Sequence, residues 1–288
     1  MTRLYISADL EGASWVSSFK QCYPDSGDFD AYRHAVGVLA EEVSVVCEAA
    51  FEAGATDIVV NDAHGIMSNL RQSQLPDRVQ LLSGKPKNCA MSSGLDNTFD
   101  AMFLIGYHAK AGTDKGVLCH TFHDKIFNVT INGVSYGEGG INALYASLVH
   151  NVPVVLASGD QALGAELTSL IPGVELVQTK VGITTTAAQN RPRSVVLEEY
   201  RAKTRQVLAN QKAWRENILK LSGPYEIYIT FINTVAADVA MTIPGFVRMD
   251  GCTIGWKSGT EGASEFESLY RMLQASYALQ AYTAIVEH

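Results

Sequence analysis

Residues 4–10 have the sequence LYISADL, an apolar run that ends beside a carboxylate. Three later runs share this design: DIVVNDAH at 57–64, AMFLIGYH at 101–108 and VPVVLASGD at 152–160. Such runs are typical of central strands in a parallel sheet, whose polar ends meet at the carboxyl edge. A helical pattern over residues 31–54 separates the first two runs. We therefore predict an α/β fold with a largely parallel central sheet flanked by helices.

The second half of the chain has a different pattern. Asn132-Gly133 favours a tight hairpin turn, so the segment around it is expected to form an antiparallel insertion. Beyond residue 189 the pattern predicts a long charged helix, two strands and a C-terminal helix, with the first three at 194–221, 226–232 and 248–257. We divide the chain into an α/β metal-binding catalytic domain, 1–188, and a smaller α+β C-terminal domain, 189–288, which is a candidate for oligomerisation.

The composition excludes several classes of protein. The 288 residues include 22 Lys and Arg against 30 Asp and Glu, a net charge of −8. This charge repels phosphate backbones and anionic lipids, so neither nucleic acid nor membrane is expected as a partner. No apolar stretch approaches a membrane span and no signal-peptide pattern opens the sequence, so a cytoplasmic protein is expected. Five cysteines without CxxC spacing favour reduced thiols, which leaves His and carboxylates as metal ligands.

Two carboxylates mark the end of the first predicted strand. Asp9 and Glu11 stand at positions i and i+2, so their side chains project from the same face. Like charges this close repel each other unless a cation lies between them. A turn or a helix N-cap would explain either carboxylate alone. The pair indicates a metal site only if the ends of the other strands supply further ligands.

Imidazoles mark the ends of two further strands. If the runs are parallel, His64 and His108 meet the two carboxylates at the edge where open α/β sheets bind ligands. Glu138, flanked by glycines, is a fifth candidate ligand. Imidazole nitrogen and carboxylate oxygen together suit Zn²⁺, with Mn²⁺, Co²⁺ or Fe²⁺ as alternatives. Five ligands exceed the usual three of a catalytic zinc, so we predict two ions per subunit, roughly 3.5–4 Å apart and bridged by Asp9.

Other interpretations of these motifs remain open at this point. The glycines around Glu138 also resemble a dinucleotide-binding loop, with Asp160 as its acidic residue, although a carboxylate there would repel a pyrophosphate. Cys119 beside His120 would be a thiol nucleophile only if the two side chains met, whereas neighbours on a strand diverge. Asp62 is expected either to orient a metal ligand or to form a turn.

A catalytic imidazole is expected on the insertion, in the sequence CHTFH at 119–123. Neutral imidazole can act as a base, an acid or a nucleophile near pH 7. His120 and His123 would face opposite sides of a strand, so at most one of them points at the site. The spacing alone does not choose between them.

The motifs together resemble the zinc-dependent D-aminopeptidase family. The resemblance covers nearly the whole chain and rests on motifs in the same order: DLEG at 9–12, NDAH at 61–64, GYHA at 106–109, CHTF at 119–122 and INGVSYGEGGINA at 131–143. It implies that two zinc ions are bound by Asp9, Glu11, His64, His108 and Glu138. It also implies a catalytic role for His120, although the family's serines beside this His are Cys and Thr here.

The leading hypothesis is a cytoplasmic dinuclear zinc aminopeptidase, in which His120 serves as nucleophile or general acid/base. The resemblance implies short peptide substrates with an N-terminal D-amino acid and a homo-oligomer, a ring-like decamer. One alternative keeps the two metals but hydrolyses a different kind of bond, as an amidase, a deacylase or a phosphoesterase does. Another is a non-catalytic protein that binds peptides or small molecules.

Overall fold

The computed structural model describes residues 1–282. Its strands are β1 (Thr2–Ala8), β2 (Ala55–Asp62), β3 (Gln80–Leu82), β4 (Ala101–Ile105), β5 (Ile126–Ile131), β6 (Val134–Ser135), β7 (Val154–Asp160), β8 (Glu175–Thr184), β9 (Ala187–Asn190), β10 (Glu226–Phe231), β11 (Val247–Arg248) and β12 (Thr253–Lys257). Its α-helices are α1 (Phe29–Glu52), α2 (Glu138–His150), α3 (Gln161–Leu170), α4 (Arg193–Ala209), α5 (Thr234–Ala240) and α6 (Ala263–Ala278).

A seven-stranded sheet in the order β3-β2-β1-β4-β7-β8-β9 forms the centre of the fold. All its strand pairs are parallel except the last, in which β9 returns antiparallel to β8. The predicted α/β fold with a largely parallel sheet flanked by helices is confirmed. The four apolar runs of the sequence form β1, β2, β4 and β7.

The register of this sheet determines where the polar strand ends lie. Ala8 pairs with Asp62 of β2 on one side and with Ile105 of β4 on the other. The three strands thus end at the same edge of the sheet, so the residues that follow each strand lie close to one another. After β3 the chain returns to place β4 on the other side of β1, which makes this edge the switch point where open α/β sheets bind ligands.

Helices cover both faces of the sheet. On one face α1 and α4 bury Leu4 and Ile6 of β1, and on the other Tyr5 packs with residues of α2 and α6. α1 begins where the Asp28 carboxylate accepts a hydrogen bond from the Ala31 backbone N–H at 3.0 Å. The alternation of β1 side chains between the two cores is what a central strand requires.

A second, antiparallel sheet in the order β11-β12-β10-β5-β6 packs against α2 and α6. The predicted hairpin is present, since Ile131 pairs with Val134 across Asn132 and Gly133, both with positive φ, 48° and 80°. Strands from both sides of residue 189 share this sheet, while α4 packs against α1 of the first sheet. The division into 1–188 and 189–288 stays a prediction, and residues 283–288 lie outside the described part.

Two predicted elements are shorter than expected. The helix expected over 194–221 ends at Ala209, because Asn210 leaves helical geometry and a 3-10 helix follows (Gln211–Asn217). The strand expected over 248–257 is divided between β11 and β12. There the Asp250 carboxylate accepts hydrogen bonds from two backbone N–H groups, which turns the chain back on itself.

Among the helices of residues 1–282, none combines the length and the apolar character that a bilayer crossing would demand.

Glycine allows the strand ends to approach each other closely. The Gly12 N–H donates to the Gly106 carbonyl at 2.7 Å. A Cβ atom on Gly12 would lie 1.8 Å from the Tyr107 carbonyl oxygen, and one on Gly106, whose φ is +73°, would lie 2.1 Å from the Asp9 carbonyl oxygen. Only glycine therefore fits these two positions, and the loop after β1 is held against the end of β4.

We expect Gly12→Ala to lower the free energy of unfolding by roughly 1–3 kcal/mol, the usual cost of overpacking, because backbone atoms must move apart. Urea unfolding followed by circular dichroism measures this change. The matched control is Gly37→Ala on α1, where an added Cβ meets no atom within 4 Å and should stabilise the helix by roughly 0.5–1 kcal/mol. Equal stability of the Gly12→Ala and wild-type proteins would contradict the close approach.

Candidate metal centre

All five predicted metal ligands converge at the carboxyl edge of the first sheet. Each of them is at most 3% exposed to solvent; they are Asp9, Glu11, His64, His108 and Glu138. The first four follow β1, β2 and β4 within three residues of the strand ends. Glu138 comes from the insertion as the first residue of α2, where the N-terminal helix dipole favours a carboxylate.

His64 faces two carboxylates with one ring nitrogen. Its Nδ1 lies 3.2 Å from Asp9 Oδ1 and 3.0 Å from Glu11 Oε2. The other nitrogen, Nε2, lies 2.6 Å from the backbone carbonyl oxygen of Cys22. A proton on Nε2 donates to that carbonyl, so Nδ1 is the nitrogen directed at the carboxylates and the one that would bind a metal once it is deprotonated.

His108 has the opposite ring orientation. Its Nδ1 donates to the Ala109 carbonyl at 2.9 Å, which leaves Nε2 as the nitrogen that faces the site. That Nε2 lies 3.3 Å from Glu138 Oε1 and 3.6 Å from Asp9 Oδ2. The two carboxylate oxygens of Asp9 therefore face different imidazoles, which places Asp9 between the two halves of the cluster.

His120 lies beside this cluster and His123 does not. The rings of His120 and His108 stack with centroids 4.0 Å apart, and His120 Nε2 is 3.6 Å from Glu138 Oε1. The Leu118 carbonyl accepts a hydrogen bond from His120 Nδ1 at 2.8 Å, so Nε2 carries the lone pair. His123 instead pairs with Asp124 at 2.5 Å.

Burial and mutual repulsion perturb the protonation of the cluster. Burial, reinforced by the charge of Glu11, raises the pKa of Asp9 to about 7. Burial alone would lower the pKa values of His64 and His108, but the carboxylates beside each ring raise both well above their usual value. Burial and the neighbouring His108 together lower the pKa of His120. The cluster thus holds protons where a cation would otherwise balance its charge.

Several buried ligand atoms have no hydrogen-bond partner within residues 1–282. They are Asp9 Oδ2, Glu11 Oε1 and His108 Nε2. Buried polar atoms are normally satisfied, and these are all potential metal-ligand atoms. The ligand-type atoms fall into overlapping groups within 4.8 Å, among them Asp9–Glu11–His108 and His108–His120–Glu138. These nitrogen and oxygen atoms fit Zn²⁺.

A cavity of about 60 Å³ opens onto the cluster. Its walls include Tyr23, Phe122 and Tyr277, so aromatic surface surrounds the charged groups. Lys85 is the only Lys or Arg that lines it within the described chain. The Lys85 ammonium donates to the Gly65 carbonyl at 3.3 Å and lies 5.4 Å from the centre of the Tyr277 ring.

The structure does not support the dinucleotide or thiol interpretations. The segment before Glu138 is the antiparallel β6, not a parallel strand, and Glu138 Oε1 accepts a hydrogen bond from the Phe122 N–H at 2.6 Å. The Asp160 carboxylate is occupied by the N–H groups of Val117 and Leu163. The thiol of Cys119 donates to the Thr113 carbonyl at 3.6 Å.

The Asp62 carboxylate stabilises the loop after β2 by hydrogen bonds. Its carboxylate accepts from both N–H groups of Asn69, backbone and side chain, and from the Leu70 N–H, at 2.5–2.8 Å. The Asn69 side chain also donates to the His64 carbonyl at 2.8 Å. Asp62 therefore contacts the His64 backbone only through Asn69, and both nitrogens of the His64 ring face other groups. Its role in orienting a metal ligand stays a prediction.

Sequence reasoning missed three groups around the cluster. The Cys22 carbonyl is a backbone atom, which no residue-type pattern reveals. Lys85 lies in a loop without a recognisable motif. Lys180 is fully buried on β8, between Thr179 and Val181, and no motif marks it in the sequence.

The chain belongs to the D-aminopeptidase family, whose model matches residues 2–275. The D-aminopeptidase of Bacillus subtilis (strain 168) is 32% identical over 257 residues, which cover 87% of this chain and 89% of that protein. The solved structure of the Zn-dependent D-aminopeptidase DppA from Bacillus subtilis, a self-compartmentalizing protease, matches with a TM-score of 0.88 at 29% identity. That match covers 97% of this chain and 98% of DppA. The predicted family, a class of metallo-aminopeptidases, is confirmed.

Zinc binding is expected to release protons, because His64, His108 and Asp9 have raised pKa values and a metal requires their unprotonated forms. The apparent zinc affinity should therefore rise from pH 6 to pH 8, by about tenfold per pH unit for each proton displaced. Isothermal titration calorimetry in two buffers of different ionisation enthalpy counts these protons. A binding heat that is independent of the buffer would contradict this expectation.

Proposed function

We propose that the protein is a zinc aminopeptidase that hydrolyses short peptides with an N-terminal D-amino acid. One observation carries the proposal. Five buried carboxylate and imidazole side chains, three of them with unpartnered ligand atoms, cluster beside a cavity that four of them line, in a chain of the D-aminopeptidase family. The zinc dependence of DppA supports the choice of metal, and Mn²⁺ or Co²⁺ are alternatives with the same preference for nitrogen and oxygen.

The arrangement of the ligands favours two ions per subunit. Glu11 and His64 would hold one ion, His108 and Glu138 the other, and Asp9 would bridge them through its two oxygens. The support for a bridge is that each Asp9 oxygen faces a different imidazole. Zinc held by these residues would supply Lewis-acid chemistry: it would polarise the scissile carbonyl and make water acidic enough to act as a nucleophile near neutral pH.

His120 would act on the protons of the reaction. The Leu118 carbonyl fixes the proton on Nδ1, and the lowered pKa keeps the ring neutral near pH 7. Its Nε2 is then free to accept a proton from the attacking group and to return it to the leaving amine. We assign His120 as general acid/base, with the role of nucleophile as the alternative.

The preference for short peptides is carried over from the family resemblance. The cavity beside the ligands has aromatic walls formed by Tyr23, Phe122 and Tyr277, with Lys85 as its cationic residue. Preference for a D-residue rests on the family and on the D-aminopeptidase activity named for the Bacillus relative.

A homo-oligomer completes the proposal. The relative DppA is a self-compartmentalizing protease, and the family resemblance implies a decamer for this chain. Exposed apolar side chains on the second sheet, among them Phe127 at 56% and Val247 at 62% exposure, would provide contact surface. Multi-angle light scattering of the purified protein measures the stoichiometry. A cytoplasmic location stays a prediction.

His108→Ala is expected to lose zinc and activity together, because it removes a ligand atom. His120→Ala should keep its zinc but lower kcat by about 10²–10⁴-fold, the range for a general acid/base. Elemental analysis and hydrolysis of D-aminoacyl p-nitroanilides measure the two effects, with His123→Ala as the matched control.

Substrate panels separate this function from its alternatives. L-aminoacyl p-nitroanilides, N-acylated amino acids and a phosphodiester test stereochemistry, deacylase and phosphoesterase activity in turn. Turnover of the phosphodiester alone would overturn the peptidase proposal, and undiminished kcat in His120→Ala would remove that imidazole from the mechanism. A binding protein would show no turnover on any of these substrates.

Lys85 is expected to pair with the free C-terminal carboxylate of a short peptide, since it is the cationic group on the cavity wall. Lys85→Met should raise KM for a D-Ala dipeptide by roughly tenfold, the loss of about one charge-assisted hydrogen bond, with little change in kcat. The same dipeptide with an amidated C-terminus is the control substrate, and Lys85→Arg should retain most of the binding. An equal rise in KM for the acid and the amide would contradict this role.

A further inference from the structure

We propose that Lys180 is a positioning residue of the metal centre, whose buried ammonium holds the loop after β1 in the shape that presents Glu11 to zinc. The inference rests on the proposed function in taking zinc as the ion. Lys180 lies on β8 and is fully buried. Its Nζ donates to the backbone carbonyls of Glu11 at 2.6 Å and Ala13 at 2.7 Å, and to that of Val16.

This arrangement uses the whole donor capacity of the side chain. An ammonium has three donors, and here each one meets a carbonyl of the same loop. A buried lysine is costly unless its charge is satisfied, so the loop and Lys180 depend on each other. Burial lowers the pKa of Lys180 to about 8, while the carboxylates of Asp160 and Glu42 favour its charged form.

The preceding residue of β8 adds a fourth contact. Thr179 Oγ1 donates to the Gly12 carbonyl at 2.7 Å. Two consecutive residues of one strand thus bind the carbonyls of residues 11, 12, 13 and 16. The conformation of this loop is imposed by β8, far away in sequence.

Glu11 connects this scaffold to the metal centre. Its carbonyl oxygen accepts from Lys180, while its carboxylate Oε2 lies 3.0 Å from His64 Nδ1. A change in the direction of that carbonyl rotates the peptide unit next to the Glu11 side chain. Loss of the ammonium would leave three buried carbonyls without their donor, so the loop would turn towards other partners.

The test compares Lys180→Met with wild type for binding of Zn²⁺ alone. Competition with a chromogenic chelator gives the zinc Kd, and thermal unfolding with and without zinc gives the shift in Tm on binding. We expect Lys180→Met to weaken zinc binding by about 10–100-fold, as loss of outer-shell support does, and to reduce the zinc-dependent Tm shift. Lys180→Arg, which keeps several donors, should restore part of the affinity.

Lys203→Met is the matched control. Lys203 lies on α4, and its ammonium pairs at 2.7 Å with Glu175, which is on β8 like Lys180 but away from the loop. Removing the Lys203 ammonium should leave zinc binding unchanged. If Lys180→Met is not recovered folded, Thr179→Val keeps the ammonium and removes the hydroxyl contacts with the Gly12 and Gly159 carbonyls. It should weaken zinc binding severalfold.

The outcomes separate this inference from the proposed function. The inference would be overturned if the folded Lys180→Met protein, or Thr179→Val in its place, bound zinc with wild-type affinity and only had a lower Tm. Lys180 would then have a purely structural role. A wild-type protein that binds no zinc would instead overturn the proposed function, and this inference with it.

Discussion

Repulsion among buried carboxylates is the constraint on which the rest of the structure depends. Asp9, Glu11 and Glu138 are withdrawn from water beside imidazoles whose ring nitrogens face them. Such a cluster is stable only if protons or cations lie between its members, and only if the backbone cannot relax to separate them. The glycine contacts at Gly12 and Gly106, the N-terminus of α2 and the buried ammonium of Lys180 all oppose that relaxation.

Much of this site could be predicted because parallel strands align their ends. An apolar run fixes a central strand, and its first polar residue then lies at the carboxyl edge, so Asp9, His64 and His108 could be brought together without knowledge of the register. The register itself, with Ala8 level with Asp62 and Ile105, came only from the structure. Glu138 was predicted from its residue type and its flanking glycines, and its position depends on how the insertion folds over the sheet.

The features that sequence reasoning missed depend on backbone atoms or on distant pairing. The Cys22 carbonyl and the loop carbonyls held by Lys180 have no side-chain signature. The pairing of β5 with β10 joins segments about 100 residues apart, which no local periodicity encodes. The end of α4 at Ala209 depends on Asn210 and on the Trp214 indole, which donates to the Val207 carbonyl at 3.0 Å.

The contribution of Tyr277 to the cavity wall has a consequence for protein synthesis. The five ligand side chains, of which Glu138 is the last, precede β8, β10 and α6 in the chain. Lys180 of β8, which holds the loop after β1, and Tyr277 of α6 are therefore synthesised after the ligands. A growing chain acquires its charged groups before the segments that hold and enclose them, so it has no closed site until α6 has left the ribosome.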